Sequence, residues 1–345
     1  MIVEHKDFKI SYLVQDQKEK IEAFLSILRD DSLSILCKTS GSTGTPRQIE
    51  ISKKSLAVSA QNSIDFFKLK PKETAILCMS IDFIAGKMML VRAMMAGLEL
   101  KVLPVSSSLS ELIEASEFIA LFPKQLQGLI STKKGIKALK KSRCILVGGA
   151  TISTEIEQFL ISNHISIYHS YGMTETATHV ALKRSGYKGE QYYKAVSGVS
   201  FSQKEGCLSI MYPKIQVGPI TTNDLVELIN PFTFKWIGRS DFVINTGGYK
   251  VSPEKLEEKI EPLLKRGCMV TGIKDEEFGE KIGLILLKDE ILKGISKETF
   301  SGILHPFEIP KVYVCIHEFS QTSNGKIDRV KTAAKIKSSA WKNIL

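Results

Sequence analysis

The sequence predicts an α/β protein. A large amino-terminal domain, built on a mostly parallel sheet with a small β region, is followed by a smaller, mobile α+β lid domain. Strand-like apolar runs alternate with helical ones from Glu73 onward, which is typical of a parallel sheet covered by helices. Past Tyr187, strand-like runs follow one another without helices, which indicates antiparallel pairing. After Gly238-Arg239, a helix with Pro253 near its start precedes two further strands.

These runs define the elements in chain order. A short buried strand at residues 34–37 precedes a helix at 51–69. Later elements of the first domain are predicted at 74–79, 87–96, 100–105, 110–115, 118–122, 124–130, 144–147, 153–162 and 165–168, with antiparallel strands at 207–212 and 225–229. In the lid, a helix at 252–264 precedes strands at 268–273 and 283–287. Because 345 residues exceed what one hydrophobic core organises, we place a boundary at Asp241, which gives domains of residues 1–240 and 241–345.

The composition excludes several classes of protein. Hydrophobic residues make up 43% of the chain and charged residues 24%, which excludes wholesale disorder. No window approaches the roughly 18 apolar residues of a membrane span. The charged amino terminus does not fit a signal peptide, so we expect a cytoplasmic enzyme without membrane insertion. Six scattered cysteines without a C-x-x-C pair are predicted to be reduced core residues.

The net charge of +10 predicts an anionic partner: a nucleic acid, a membrane surface or a small phosphorylated ligand. The lysines are spread along the chain and no nucleic-acid-reading motif accompanies them, so a nucleic acid is not expected. Only the carboxyl end resembles a basic face, and its near-helical spacing favours a solvated helix surface. The residues of this face are Lys326, Arg329, Lys331, Lys335, Lys337 and Lys342. The sequence leaves open whether the chain forms a homodimer.

A phosphate cradle is predicted between residues 38 and 47, where hydroxyls and glycines are dense. Gly41 and Gly44 permit close backbone approach, hydroxyls lie beside backbone N–H groups, and Arg47 closes the loop with a fixed positive charge. The hydroxyl residues are Thr39, Ser40, Ser42, Thr43 and Thr45. The loop matches neither G-x-x-x-x-G-K-[ST] nor G-x-G-x-x-G. Taken alone, a stretch rich in serine, threonine and glycine is more often a surface linker.

Two glycine-containing motifs suit a purine base. Gly148-Gly149-Ala150 follows a buried strand with a bare backbone, which fits either a flat base sliding past or a strand-to-helix turn. Ser170-Tyr171-Gly172 lies in the run 169–176, where the Tyr171 ring suits base stacking. In the same run, Thr174 suits a hydrogen bond to phosphate. Glu175 suits Mg²⁺, which prefers carboxylate and phosphate oxygens.

The remaining candidate residues suit three tasks: binding a sugar, lining a channel and contacting the reacting phosphate. Asp224 suits ribose hydroxyls, with Arg239 available for the same sugar or a phosphate, and a surface ion pair is the alternative. Gly247-Gly248 forms a tight turn that either lines a narrow channel or closes a hairpin. Lys326 is either solvated or a mobile cation that neutralises charge on an α-phosphate attacked by a carboxylate.

Together and in order, these motifs strongly resemble the acyl- and aryl-CoA synthetases of the adenylate-forming superfamily. The resemblance covers nearly the whole chain and rests on residues 39–46, Tyr171-Gly-Met-Thr-Glu175, Asp224, residues 238–241, Gly247-Gly248 and Gly325-Lys326. It implies a two-step reaction with ATP, Mg²⁺ and coenzyme A. A carboxylate and ATP give an acyl-adenylate and pyrophosphate, and the thiol of coenzyme A then displaces AMP.

The resemblance also implies roles for single residues. The phosphate loop is expected to bind the β- and γ-phosphates, Tyr171 to pack on adenine, and Glu175 to bind Mg²⁺. Asp224 and Arg239 are expected to hold the ribose. Lys326 matches the adenylation lysine, Asp241 the hinge, and Gly248 the turn that lines the pantetheine tunnel after the lid rotates.

The sequence departs from the family at two places. Arg47 stands where the family has lysine, which keeps the charge but changes the hydrogen-bonding geometry. The phosphate loop begins at Lys38, whereas typical members carry a long region before it, so enclosure of the substrate is expected to be weaker or to come from a partner subunit. Among compact members, the run 174–182 is most similar to o-succinylbenzoate–CoA ligases of menaquinone synthesis.

The helix at residues 86–95 is the predicted wall of the acid pocket. Its methionines suit an adaptable aromatic wall, and a buried Arg92 would suit a second carboxylate, with His179 and Lys183 as further polar contacts. Core methionines with a surface Arg92 are the alternative. Other functions that stay open are another aryl- or acyl-CoA ligase, an adenylating enzyme that loads a carrier protein, and a non-catalytic nucleotide-binding regulator.

Overall fold

The computed structural model describes residues 2–38, 47–106, 109, 113–187, 191–264, 267–288, 295–321 and 327–344. Among these residues, helices α1 to α8 span Lys18–Arg29, Lys53–Phe67, Ile84–Ala96, Pro123–Ile130, Lys133–Lys141, Thr154–Ser162, Pro253–Leu264 and Arg329–Ala334. Strands β1 to β10 span Lys9–Tyr12, Ser34–Lys38, Gln48–Ser52, Thr74–Leu77, Glu99–Val102, Phe118–Leu121, Cys144–Val147, Ile167–Met173, Thr178–Ser185 and Tyr193–Ala195. Strands β11 to β20 span Ser200–Lys204, Cys207–Met211, Ile220–Asn230, Thr233–Arg239, Ile244–Thr246, Tyr249–Val251, Cys268–Asp275, Gly279–Leu287, Val312–Ile316 and Lys342–Asn343.

One large sheet runs through the first part of the chain and confirms the predicted α/β class. Its strand order is β1-β5-β4-β6-β7-β8-β9-β10-β14-β13-β12-β11. Pairing is parallel from β1 to β8 and antiparallel from β8 onward. The predicted change to antiparallel pairing therefore comes at β9, before Tyr187. Strand β8 pairs parallel with β7 on one side and antiparallel with β9 on the other.

The parallel strands are covered by helices on both faces. Along β4, Ala75 and Leu77 join the core formed with α1, α2 and α3, while Ile76 joins the core under α4, α5 and α6. This alternation follows from the two-residue period of a strand, and it is repeated along β6 and β7. The carboxyl ends of the parallel strands thus lie at one edge, where α/β sheets bind ligands.

The prediction for the first strand and helix was partly wrong. Strand β2 is not part of the large sheet but pairs antiparallel with β3, and its Leu36 is 65% exposed. The strand that precedes residues 39–46 in the chain therefore belongs to a separate two-stranded sheet. Helix α2 begins at Lys53 rather than at residue 51, because Ser52 caps it by accepting a hydrogen bond from the Ser55 backbone N–H at 3.0 Å.

Two helix predictions also need correction. Helix α5 lies between α4 and β7 in a stretch for which no element was predicted. Residues 113–115, the described part of the helix predicted at 110–115, are not helical. The other elements predicted in this domain overlap strands or helices of the structure, with ends that differ by up to five residues, as in β8 and β13. The sequence did not predict β1, α1, β3, β9, β10, β11 and β14.

A second sheet begins after Asp241. Its order is β16-β15-β18-β19-β20, with β17 paired to β18, and helix α7 packs on it. The two sheets divide between Arg239 and Ile244, on either side of Asp241. Movement of residues 241–345 as a separate lid about this residue stays a prediction.

Other composition-based predictions can also be compared with the described residues. All six cysteines are free, and four of them are buried, as predicted for reduced core residues. No helix in the described ranges combines the length and apolarity needed to cross a bilayer. The predicted basic face at the carboxyl end is wrong for Arg329, whose side chain is only 17% exposed and forms ion pairs with Glu254 and Glu257.

Candidate active site

The Gly148-Gly149-Ala150 turn follows β7 at the carboxyl edge of the parallel strands. Gly149 has a φ of +92°, which disfavours a side chain, and a Cβ there would lie 2.9 Å from the Phe122 ring. A Cβ at Gly148 would lie 2.2 Å from Ser170 Oγ. The turn is therefore bare because β8 and the residue before α4 occupy the space beside it.

His169 holds this turn in place, a contact that the sequence interpretation missed. Its Nε2 is 2.9 Å from the carbonyl oxygen of Ala150, and its Nδ1 is 2.8 Å from the Tyr193 hydroxyl. A carbonyl can only accept, so Nε2 carries the proton and Nδ1 accepts from Tyr193. Burial, with a contribution from Lys183, lowers the pKa of His169 to about 4, which keeps the ring neutral at pH 7.

Tyr171 and Asp224 form the central contact of the site. The Tyr171 hydroxyl donates to Asp224 Oδ2 at 2.6 Å, and the Trp236 indole N–H donates to Asp224 Oδ1 at 3.1 Å. The Tyr171 ring packs edge-on against Phe234. Burial and then the Asp224 charge raise the pKa of Tyr171 well above its usual value, so its hydroxyl stays protonated. The predicted base-stacking and ribose-binding residues are therefore joined directly.

Arg239 lies beside Asp224 at the carboxyl end of β14, where the two residues are cross-strand partners. Its Nη2 donates to Asp241 Oδ2 at 2.5 Å. Its Nε is buried and has no hydrogen-bond partner among the described residues. Burial opposes the charge on Arg239, but Asp241 and Asp224 outweigh it and raise its pKa. The predicted ribose-binding and hinge residues thus form one ion pair.

Thr174 and Glu175 lie in a 3₁₀ turn between β8 and β9. Thr174 is buried, while the Glu175 carboxylate is exposed. Gly172, just before this turn, has no room for a side chain, since a Cβ would lie 2.1 Å from the Thr178 carbonyl oxygen. The turn therefore presents the exposed Glu175 carboxylate, which pairs with no cation of the described ranges, at the end of the nucleotide motif.

Arg92 and His179 are both buried next to this turn. Arg92 is 2% exposed and donates from Nε to Ser63 Oγ at 2.9 Å and from Nη2 to Thr178 Oγ1 at 3.2 Å. Its Nη1 contacts the Met89 sulphur at 4.0 Å. Within the described ranges no carboxylate pairs with it, and burial lowers its pKa to about 10. The alternative of a surface Arg92 is therefore wrong, whereas Met89 and its neighbours are core residues as that alternative held.

His179 lies near Arg92 as a neutral ring. Burial, followed by repulsion from Arg92, lowers the pKa of His179 to about 3. At neutral pH this buried pair of side chains therefore consists of a charged guanidinium and a neutral imidazole. Lys183, the further polar candidate, lies 3.7 Å from Glu157 in an ion pair and contacts the Tyr193 ring.

Gly247 and Gly248 form the two-residue turn of the β15–β16 hairpin. Their φ angles are +58° and +81°, the combination that two-residue hairpin turns of this hand require. A Cβ at Gly248 would meet no described atom within 4 Å, whereas a Cβ at Gly247 would lie 3.3 Å from the Phe278 and Phe307 rings. The hairpin alternative holds, and the role in a pantetheine channel stays a prediction.

Lys326 and the residues Thr39, Ser40, Gly41, Ser42, Thr43 and Gly44 lie outside the described residues, so their predicted roles stay predictions. Three positions that flank these residues are described. Arg47 is exposed directly before β3. Gln321 and Ile327 form a β-bridge on either side of 322–326, and Gln321 accepts a hydrogen bond from Lys124 Nζ at 3.1 Å. Because Lys124 is in the first turn of α4, Gln321 lies beside the amino-terminal end of that helix.

Comparison with known proteins decides the family. Residues 2–202, more than half of the chain, match the family described as AMP-binding enzyme. The chain belongs to the AMP-binding enzyme family. This confirms the predicted membership in the adenylate-forming superfamily and the predicted class of AMP-forming ligase.

Individual relatives of this AMP-binding enzyme share modest identity with it. It is 25% identical over 341 residues to the probable 2-succinylbenzoate–CoA ligase of Mycobacterium tuberculosis, covering 89% of this chain and 87% of the relative. It is 26% identical over 259 residues to the 2-succinylbenzoate–CoA ligase of Haemophilus influenzae, covering 70% of this chain and 57% of the relative.

Solved structures share the fold. An acyl-CoA synthetase (AMP-forming)/AMP-acid ligase II-like protein from Dyadobacter fermentans superposes with a TM-score of 0.62 at 28% identity, covering 94% of this chain and 95% of that one. The o-succinylbenzoate coenzyme A synthetase of Bacillus subtilis, in complex with ATP and magnesium ion, gives a TM-score of 0.71 at 18% identity, covering 86% and 69%.

Proposed function

We propose that this AMP-forming ligase activates o-succinylbenzoate and transfers it to coenzyme A, as a step of menaquinone biosynthesis. The observation that carries the choice of acid is the buried Arg92, whose charge no described carboxylate balances. The names of the Mycobacterium and Haemophilus relatives support the same acid.

An unbalanced buried guanidinium costs several kcal/mol, so its presence favours a ligand that supplies the missing negative charge. An o-succinylbenzoate has two carboxylates, of which one is activated and the other stays free to bind Arg92. The guanidinium fork suits a carboxylate in particular, since two parallel N–H groups match its two oxygens. Met89 beside the guanidinium suits the apolar ring of the same acid.

The nucleotide is assigned to Tyr171, Asp224 and Arg239. In the proposed adenylation step, a substrate carboxylate oxygen attacks the α-phosphorus of ATP, and the bond to the bridging oxygen of pyrophosphate breaks. Tyr171 orders Asp224 for the ribose hydroxyls, while Arg239 keeps a buried N–H available for the ribose or a phosphate. Lys326 is assigned the role of neutralising the negative charge that develops on the α-phosphate.

Glu175 fits the Mg²⁺ that this reaction uses. Its exposed carboxylate follows the buried Thr174, and together with ATP phosphate oxygens it gives the all-oxygen donor set that Mg²⁺ prefers. When bound, the ion would offset phosphate charge. This chain's own contribution is to hold Glu175 at the end of β8 by the 3₁₀ turn.

The second step needs a different face of the lid. The thiolate of coenzyme A attacks the acyl carbonyl, AMP leaves, and the thiol proton is released to solvent or a base. We assign Asp241 as the hinge and Gly248 as the turn beside the pantetheine arm. In the described arrangement Asp241 is bound to Arg239, so rotation would have to break this ion pair.

The test is acid-dependent exchange of pyrophosphate into ATP, measured with o-succinylbenzoate, benzoate and a medium-chain fatty acid. We expect o-succinylbenzoate to have a kcat/KM about a hundredfold above that of benzoate, because benzoate leaves the buried charge unpaired. Arg92→Met should raise the KM for the diacid far more than that for ATP. Arg184→Met is the matched control, since Arg184 lies on β9 but is exposed and contacts Tyr187.

Three outcomes would change the assignment. If benzoate or the fatty acid matched o-succinylbenzoate, the acid would be wrong and only the ligase class would stand. If thioester formed on a carrier protein but not on coenzyme A, the acceptor would be wrong. If no acid supported exchange while ATP still bound, the chain would be a nucleotide-binding regulator.

A further inference from the structure

Arg329 differs from the other cations near the carboxyl end. Its side chain is 17% exposed, whereas that of Lys331 on the same short helix is 73% exposed. Arg329 is the first residue of α8 and follows Lys326 by three positions in the sequence. A residue so close to the predicted adenylation lysine is therefore anchored inside the fold.

Arg329 joins three elements around the second sheet, which are α7, β17 and its own helix α8. Arg329 Nη2 pairs with Glu257 of α7, its Nε is 3.8 Å from Glu254, and its Nη1 donates to the Val270 carbonyl oxygen at 3.2 Å. Glu257 in turn accepts from the Val270 backbone N–H at 2.6 Å. Burial raises the pKa of Glu257 to about 7 although the adjacent guanidinium opposes it, so water is largely excluded here.

The same guanidinium also reaches the residue after the predicted hinge. Its Cζ is 5.6 Å from the centroid of the Phe242 ring, within cation–π distance. Phe242 directly follows Asp241, which Arg239 holds by its ion pair. Contacts thus run without a break from the ribose-binding strand β14 through the hinge residue to the start of α8.

On the other side, the segment that carries Lys326 has a fixed stem. Gln321 and Ile327 are bridged, and Asp328 caps α8 by accepting from the Lys331 backbone N–H at 3.0 Å. Arg329 is therefore the point at which this stem is fastened to α7 and to the residue after the hinge.

We propose that Arg329 is a positioning residue for adenylate formation: it fastens the start of α8, three residues after Lys326 in the sequence, to α7 and to the residue that follows the predicted hinge. The inference rests on the proposed function, because it takes adenylation as the step served by Lys326. A lysine cannot replace the arginine fully, since a single ammonium cannot bond Glu257 and Val270 and also stack on Phe242 in one geometry.

The test separates the two half-reactions in Arg329→Met, Arg329→Lys and the control Lys331→Met. Single-turnover adenylate formation is measured with o-succinylbenzoate and MgATP, and thioester formation is measured by supplying the acyl-adenylate with coenzyme A. We expect Arg329→Met to lower the adenylation rate constant by about a hundredfold with the KM for ATP unchanged, as when a group acting only in the transition state is misplaced. Thioester formation should stay within about twofold, Arg329→Lys should recover part of the loss, and Lys331→Met should change neither rate.

Phe242→Leu keeps the test decisive if Arg329→Met does not fold, because it removes the ring and leaves the buried ion pair intact. It should lower adenylation by a smaller factor and spare thioester formation. Equal losses in both half-reactions would make Arg329 a general structural residue, and no loss in either would end the proposal. If the wild-type enzyme forms no adenylate from any acid, the proposed function fails first. Hydrogen exchange at residues 327–334 then still tests whether Arg329→Met loosens α8.

Discussion

Tyr171 and Asp224, 53 residues apart in the chain, are joined by a 2.6 Å hydrogen bond in which the phenol donates to the carboxylate. Tyr171 lies in β8, the last strand that has a parallel neighbour, and Asp224 lies in β13 of the antiparallel part of the sheet. The bond crosses the place where the sheet changes from parallel to antiparallel pairing. We therefore interpret the base-stacking and ribose-binding positions as one preorganised unit.

Tyr171→Phe tests this unit because it keeps the ring and removes the bond. A hydrogen bond to a charged group contributes about 1.5–3 kcal/mol, so we expect the KM for ATP to rise about tenfold or more. The KM for the acid should change little. Tyr187→Phe, which removes an exposed phenol that contacts Arg184, is the control. An unchanged KM for ATP in Tyr171→Phe would contradict the ordering role of the bond.

Trp236 should report nucleotide binding directly. Its indole N–H donates to the carboxylate that is expected to hold the ribose, and the chain has two tryptophans. In a Trp341→Phe background, the emission of Trp236 should shift when ATP is added, because the polarity around Asp224 changes. Asp224→Asn should abolish the shift at the same ATP concentration. A shift that persists in Asp224→Asn would place the nucleotide elsewhere.

Much of this arrangement could be predicted from the sequence, because local patterns determine it. The alternation of apolar runs gave β4, β6, β7 and their helices, and short ordered motifs gave Tyr171, Asp224 and Arg239 as candidates. The exposed strand β2 was harder, since an apolar tetrapeptide has the same pattern in a two-stranded hairpin as in a buried sheet.

Contacts between distant segments could not be predicted. His169 lies next to Tyr171, but its partners are Ala150 and Tyr193, and nothing in the sequence relates these positions. Arg329 has the spacing of a solvated helix face, yet Glu257 and Phe242 become its neighbours only when the second sheet has formed. For His169, the one available signal in the sequence was its position next to the motif that contains Tyr171 and Gly172.

The stability of the protein should fall in acid because His169 and His179 are buried as neutral rings. Their pKa values are lowered to about 4 and about 3, below the value of about 6.5 in an unfolded chain. Their contribution is therefore complete above pH 6.5 and is lost as the pH falls toward these values. One such histidine changes the free energy of unfolding by about 1.4 kcal/mol per pH unit in this window.

Urea unfolding between pH 7 and pH 5 measures this slope. His169→Gln should flatten it, since glutamine has no proton to gain, whereas His317→Gln, at an exposed position, should leave it unchanged. An identical slope in wild type and His169→Gln would show that His169 does not titrate in this way.

Gly248 should affect only the second half of the reaction. Gly248 has a φ of +81° and no described atom within 4 Å of its Cβ position, so leucine there strains the backbone without a clash at the Cβ. Gly218 is a matched control, because its φ is +80° and a Cβ there also meets nothing within 4 Å. Both Gly→Leu variants should therefore lose a similar amount of stability, about 1 kcal/mol or more.

The two variants should differ in catalysis if Gly248 lines the path of the pantetheine arm. Gly248→Leu should form acyl-adenylate at close to the wild-type rate. Its transfer to coenzyme A should fall by about tenfold or more, because the leucine would fill the space that the thiol arm needs. Gly218→Leu should keep both rates. If the two variants slowed the transfer step equally, backbone strain would explain the loss, and the turn at Gly248 would be a hairpin without a role in the channel.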